Sequence, residues 1–154
     1  MPQYLENSEE KHIHKIIEEL AAKLGLCCPK KEVQFRDMGY YLDRIWYMEL
    51  EGEDVPIAAF EIEKGVPGNE RTRKDILNIV LSKAPKGYLI TPHKRILMKA
   101  TGGSGWETWY RDHFLETFKK YHSPFIFYCD VQLVDADMLI SSNSLKESIV
   151  RTPY

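Results

Sequence analysis

The chain has 154 residues, 44% hydrophobic and 29% charged, the composition of one folded domain with room for a sizeable core. A formal charge of -2 and a pI near 6.2 exclude the global basic signature of a nonspecific nucleic-acid binder. No apolar run has the roughly 18 residues a bilayer crossing needs, and MPQYLENSEEK lacks a signal peptide's apolar core, so a cytoplasmic protein with no membrane partner is expected. Cys27, Cys28 and Cys129 make neither an even disulfide set nor a CxxC pair and read as reduced core cysteines.

The first element is a helix. Asn7 or Ser8 can cap it, Glu9 and Glu10 lie in its first turn, and Ile13, Ile16, Ile17, Leu20, Ala21 and Leu24 follow helical spacing until Gly25. Glu18 and Glu19 read as solvated, and His12 and His14 as surface residues. Three strands follow: Val33 to Arg36, Tyr40 to Leu50 after a turn at Asp37, Met38 and Gly39, and Val55 to Glu63 after the polar residues 51 to 54. They are expected to form an antiparallel meander, with Pro56 at the start of the third strand, where a missing N–H is tolerated.

Residues 64 to 69 break the pattern, a helix runs from about Glu70 to Lys83, and GYLIT, Gly87 to Thr91, is a strand stopped by Pro92. His93 to Ala100 reads as a short helix or strand, residues 101 to 105 as a loop, and Trp106 to Tyr121 as a mostly buried helix. Pro124 to Val134 is apolar enough for a strand buried on both faces, and the polar tail from Ser141 to Tyr154 is expected to be partly disordered. The expected domain is thus single, with a core at about 9–91, an extension at 92–140 and a tail at 141–154.

Side chains alternate along a strand, so Asp43, Ile45 and Tyr47 share one face and Ile57, Ala59, Glu61 and Glu63 another, with Leu42, Trp46, Met48, Ala58, Phe60 and Ile62 opposite as a core side. Carboxylates gathered at strand ends repel one another unless a cation lies between them, so Asp43, Glu61 and Glu63 read as a divalent metal site. Basic residues cluster locally at Lys30 and Lys31, at Lys64, Arg71, Arg73 and Lys74, and at His93, Lys94, Arg95 and Lys99. Asp130, Asp135 and Asp137 read as turn or capping residues.

The αβββαβ order, with Asp43 in LDRIWY and Glu61 in FEIEK, resembles the PD-(D/E)XK nuclease superfamily over roughly residues 9 to 91. The resemblance implies an α/β restriction-endonuclease-like core with a central mixed sheet flanked by helices. Asp43 matches the family's metal-binding aspartate and Glu61 the acidic residue of its second half-motif. Glu63 stands at the lysine's position, giving Glu-x-Glu, and Leu42 stands where the family carries proline. Lys64 is the nearest replacement cation, although alternation points it to the other face unless a bulge turns it back.

The implied activity is hydrolysis of DNA phosphodiester bonds with Mg²⁺ or Mn²⁺. Asp43 and Glu61 serve as ligands, Glu63 as ligand or base, and Arg71, Arg73, Lys74, Lys94 and Arg95 as DNA contacts. A homodimer is expected, because cutting a duplex takes two sites. The alternatives are a noncatalytic DNA-binding or structural module of the same fold, and an α/β protein unrelated to nucleic acid in which the acids are incidental.

Overall fold

The computed structural model describes residues 4–35, 40–65, 69–92, 94–96 and 129–150. Helix α1 (Asn7–Lys23) buries Ile13, Ile16, Ile17 and Ala21, the stripe its periodicity predicts. Its N-cap is Glu6, in a capping box with Glu9 that satisfies backbone donors at this end, so the helix begins earlier than a cap at Asn7 or Ser8 would allow.

Four strands form one sheet in the order β3 (Arg44–Leu50), β4 (Glu53–Ile62), β5 (Lys86–Thr91), β6 (Asp130–Asp135). The pair β3 and β4 is antiparallel, and β5 and β6 add in parallel. Helix α2 (Asn69–Leu81) makes the crossover from β4 to β5 that a parallel pair requires. Helix α3 (Ala136–Ser142) follows β6, capped by Asp135, which accepts from the N–H groups of Asp137 and Met138.

The architecture is therefore mixed α/β with a mixed sheet, but the expected meander does not form. Strands β1 (Val33–Phe35) and β2 (Tyr40–Leu42) pair only with each other, in a separate two-stranded sheet. The chain bends at Asp43, and Cys27 occupies the outer edge of β3 with two backbone hydrogen bonds to Tyr47 at 2.8 and 2.9 Å.

Both faces of the sheet are covered. Trp46, Ala58, Phe60, Ile62, Ile90 and Val134 pack against α1 and α3; Ile45, Ala59, Leu89 and Leu133 pack with Ile76, Ile79 and Val80 of α2. Leu42 belongs to the α2 side, not with Trp46, because the bend at Asp43 interrupts the alternation, and Met48 is exposed on the hairpin. A bulge between Trp46 and Tyr47 shifts the register so that Tyr47 opposes Pro56 and Trp46 opposes Ala58. Ile57, the residue skipped, packs on the α1 side instead of sharing the face of Ala59. Pro56 lies within β4 and not at its start. It is tolerated beside the bulge and before β5 pairing begins at Ala58.

Trp46 and Phe60 meet with ring centroids 4.8 Å apart, and the Trp46 indole donates to the Ile17 carbonyl at 3.1 Å, fixing α1 on the sheet. On the other face α2 lies close over β5: a Cβ on Gly87 would meet Ile79 Cγ2 at 2.2 Å. Glycine there lets the helix approach near enough for its polar residues to meet those of β4.

The tail expected to be partly disordered is regular over its described residues, 141–150. Helix α4 (Leu145–Ser148) is capped by Ser144, Ile149 bridges Val134, and the Val150 N–H donates to the Leu133 carbonyl at 2.8 Å. Buried Val150 and the open edge of β6 hold it. All three cysteines are free, but only Cys129 is buried; Cys28 is half-buried and Cys27 exposed, so the reading of all three as core residues fails for the bridge at Cys27. The expected helix over 106–121, the loop over 101–105 and residues 124–128 of the expected strand lie outside the described residues.

Candidate metal centre

The acids that alternation gathers do converge, at the carboxyl end of β4 under α2. Glu61 and Glu63 both face that helix while Ile62 between them faces α1. The bend residue Asp43 turns its carboxylate across to the same end, where its Oδ2 accepts the Ile62 N–H at 2.7 Å. All three line one cavity of about 610 Å³.

They do not lie on an open surface, as a half-buried hairpin face suggested. Glu61 is 6% exposed and Glu63 3%, because α2 covers them. Two oxygens in the cluster, Glu61 Oε1 and Glu63 Oε2, are buried with no hydrogen-bond partner. A buried anionic oxygen without a donor or cation is costly, so the cluster is electrostatically incomplete as it stands.

Helix α2 brings in Arg71, expected as a phosphate contact, and two residues that sequence reading missed, Asp75 and Asn78. Arg71, Asp75 and Asn78 fall at i, i+4 and i+7, on one face, and all line the cavity. Arg71 Nη1 reaches Glu63 Oε1 at 3.4 Å from a half-exposed position. Asp75 lies within reach of both Glu61 and Glu63 for a shared proton. That spacing is the signal a reading of α2 for its apolar face alone passes over. Six acidic residues line the cavity against three basic ones, Lys64, Arg71 and Lys74, so its field favours a cation.

Burial and repulsion show in the acidities. Burial raises the Asp43 carboxyl to about 6, against the stabilising Ile62 N–H, with repulsion from Glu32 and Glu10 adding to it. Glu61 is driven up by burial and then by the charges of Asp43 and Asp75. Asp75 rises through burial, its shared hydrogen bond with Glu63 and that residue's charge. Among the described residues no group of three or more His, Cys, Asp or Glu side chains is arranged so that it could hold a metal ion by itself. The donor chemistry nonetheless fits a hard divalent ion, since every donor is oxygen and two are orphaned.

The basic candidates separate. Arg71 and Lys74 line the cavity. Lys64 reaches its rim, but its ammonium pairs with Glu10 of α1, in keeping with alternation and not with a bulge that returns it to the acids. Glu10 also meets His14 at 3.5 Å, so His14 is a half-buried partner of that pair and not a surface residue. Arg73 is half-buried with its Nε unpartnered, and Lys94 is exposed; neither is among the residues lining the cavity.

Arg95 is engaged elsewhere. It donates to Glu9, to Asp137 and, at 2.8 Å, to the Tyr4 carbonyl, tying the start of α1 to α3. His93, a weaker candidate, lies outside the described residues. Asp130 pairs with Lys86 at 3.1 Å and Asp137 with Arg95, so both act as ion-pair partners, while Asp135 is the expected cap.

Among the described residues no helix is long and apolar enough to cross a membrane. Comparison with protein-family models, with curated proteins and with solved structures finds no match, so the case for this site rests on its own geometry.

Proposed function

We propose that the chain is a metal-dependent deoxyribonuclease of restriction-endonuclease-like architecture that hydrolyses DNA phosphodiester bonds. The observation that carries this reading is the buried pair Glu61 and Glu63, each with an orphan oxygen, beside Asp43 in a cavity with Arg71 and Lys74 in its lining. A floor of unsatisfied carboxylates next to cationic side chains suits a cation below and a phosphate above.

Asp43 and Glu61 hold Mg²⁺ or Mn²⁺, and Glu63 completes the shell or takes the proton of the attacking water. When bound, such an ion supplies an activated water and neutralises charge on the phosphate and the leaving oxygen. Arg71 exchanges Glu63 for a phosphate oxygen, taking the part of the absent motif lysine, and Lys74 adds a second contact. The acting species on duplex DNA is a homodimer, which brings two sites to two strands. The pairing of Lys64 with Glu10 favours a second reading, a noncatalytic DNA-binding module of the same fold, because it leaves no lysine among the acids.

The deciding experiment is cleavage of labelled single-stranded, duplex, flap and four-way-junction DNA with Mg²⁺ or Mn²⁺, comparing wild type with Asp43→Ala and Glu61→Ala. Cutting that requires the metal and falls at least on the order of a hundredfold in both variants supports the nuclease. DNA binding without cutting selects the module, and neither binding nor cutting removes both readings.

A further inference from the structure

The cavity has a second wall. The three acids of the strands lie on one side, and α2 forms the other with Asp75 and Asn78, three residues apart on the same helical face. Asn78 is unlike its neighbours: it carries no charge, is 3% exposed, and its Oδ1 has no hydrogen-bond partner. A buried amide in a core normally satisfies its oxygen with a backbone or side-chain donor. The basic side chains lining the cavity do not supply it: Lys64 pairs with Glu10, Arg71 with Glu63, and Asn78 Oδ1 has no donor within hydrogen-bond distance. Three orphan oxygens, on Glu61, Glu63 and Asn78, thus line the same space. A hard divalent cation satisfies carboxylate and amide oxygens together.

We propose that α2 supplies ligands to the cation site: the Asn78 amide oxygen and the Asp75 carboxylate coordinate the divalent ion from the side opposite Asp43, Glu61 and Glu63. This inference rests on the metal-dependent reading above. The ion then joins the crossover helix to the end of β4. The close approach of α2 at Gly87 is what brings the second wall within range.

Binding of Mn²⁺ alone, measured by calorimetry and by the electron paramagnetic resonance signal of the free ion, tests this without DNA. Wild type, Glu61→Gln, Asp75→Asn, Asn78→Leu and Asn78→Asp are compared, each first checked for a wild-type circular dichroism spectrum in chelator. Asp75→Asn and Asn78→Leu are expected to weaken binding on the order of tenfold or more, while Asn78→Asp, which keeps an oxygen and adds charge, binds at least as tightly as wild type. A merely structural Asn78 would be harmed by both substitutions and rescued by neither. If Glu61→Gln abolishes binding while Asp75→Asn and Asn78→Leu bind like wild type, the α2 ligands are overturned and the strand site stands. If wild type binds no Mn²⁺, both fall together.

Discussion

Two groups of carboxylates lie at helix and strand ends of this molecule and they are treated in opposite ways. At the start of α1, Glu9 and Asp137 meet Arg95, which also donates to the Tyr4 carbonyl, and the guanidinium holds the Glu9 carboxyl below its ordinary range. At the end of β4, Asp43, Glu61 and Asp75 are all pushed upward by burial and by neighbouring carboxylates, and Arg71, which pairs with Glu63, is half exposed. The same residue type is a strut in one place and a cluster of mutually uncompensated acids in the other. What separates the two is whether the fold supplies the counter-ion.

The largest effect expected of a single substitution is at the clamp. Arg95→Met removes the guanidinium that Glu9, Asp137 and the Tyr4 carbonyl share, and should lower stability in urea unfolding by about 2 kcal/mol, with solvent screening keeping it below the cost of a fully buried pair. In a chain of this size that is roughly 4–8 °C in Tm. A loss no larger than that of a surface arginine would mean the clamp is ornamental.

The acid cluster should answer with the opposite sign. Glu61→Gln, measured in chelator, removes a desolvated carboxyl from among like charges and should stabilise by about 1 kcal/mol. The matching change Glu9→Gln at the clamp should destabilise. Saturating Mg²⁺ reverses the ranking at the cluster, since an ion that binds only the folded wild type adds about 2.7 kcal/mol at a hundred times its Kd. Equal melting of wild type and Glu61→Gln with and without Mg²⁺ would remove the electrostatic argument for the site.

Acidity sharpens the comparison further. Asp43 ionises at about 6 in the folded chain against 3.8 in an unfolded one, so between about pH 4 and 6 the native state holds the extra proton and stability falls as pH rises. Glu61 and Asp75, also raised, carry that decline to higher pH. Glu9 is lowered, so its contribution is present above its unfolded value of 4.5 and is lost as pH falls through its folded one. In chelator, stability should therefore fall on the alkaline side through the cluster and on the acid side through the clamp, each proton giving at most about 1.4 kcal/mol per pH unit. Asp43→Asn should flatten the decline between pH 4 and 6 alone, and Mg²⁺ should do the same in wild type.

How much of this the sequence carries depends on range. The period-2 pattern puts Glu61 and Glu63 on one face because alternation is local, and it holds wherever the strand is regular; it fails at Ile57, where a bulge that no single residue announces resets the phase. Asp43 reaches the site through a bend, not through the strand continuity that suggested it. Asp75 and Asn78 are invisible as site residues until α2 docks over Gly87, a consequence of helix–sheet distance and not of any motif. Arg95 looks like a phosphate contact among its basic neighbours because its partners Glu9 and Asp137 lie 86 and 42 residues away. The expected strand over Tyr40 to Leu50 is broken at Asp43 into β2 and β3, and the edge of β3 that β1 was expected to fill is met by Cys27 instead.

The smallest expected effect comes from a place that touches neither carboxylate group, and it serves as the control for the others. Glu51 and Gly52 connect β3 to β4 as a two-residue hairpin turn, both in the left-handed region with φ of 53° and 81°. Glycine is at ease there and glutamate is not, so Glu51→Asn, which tolerates that conformation better, should stabilise by roughly 0.5 kcal/mol. Because the turn lies at the opposite end of β4 from Glu61, the gain should be the same in chelator, in Mg²⁺ and across pH 4 to 8. A gain that instead varied with the ion would mean that strain at the hairpin reaches the carboxylates along β4, and the two ends of the strand would have to be treated as one coupled unit.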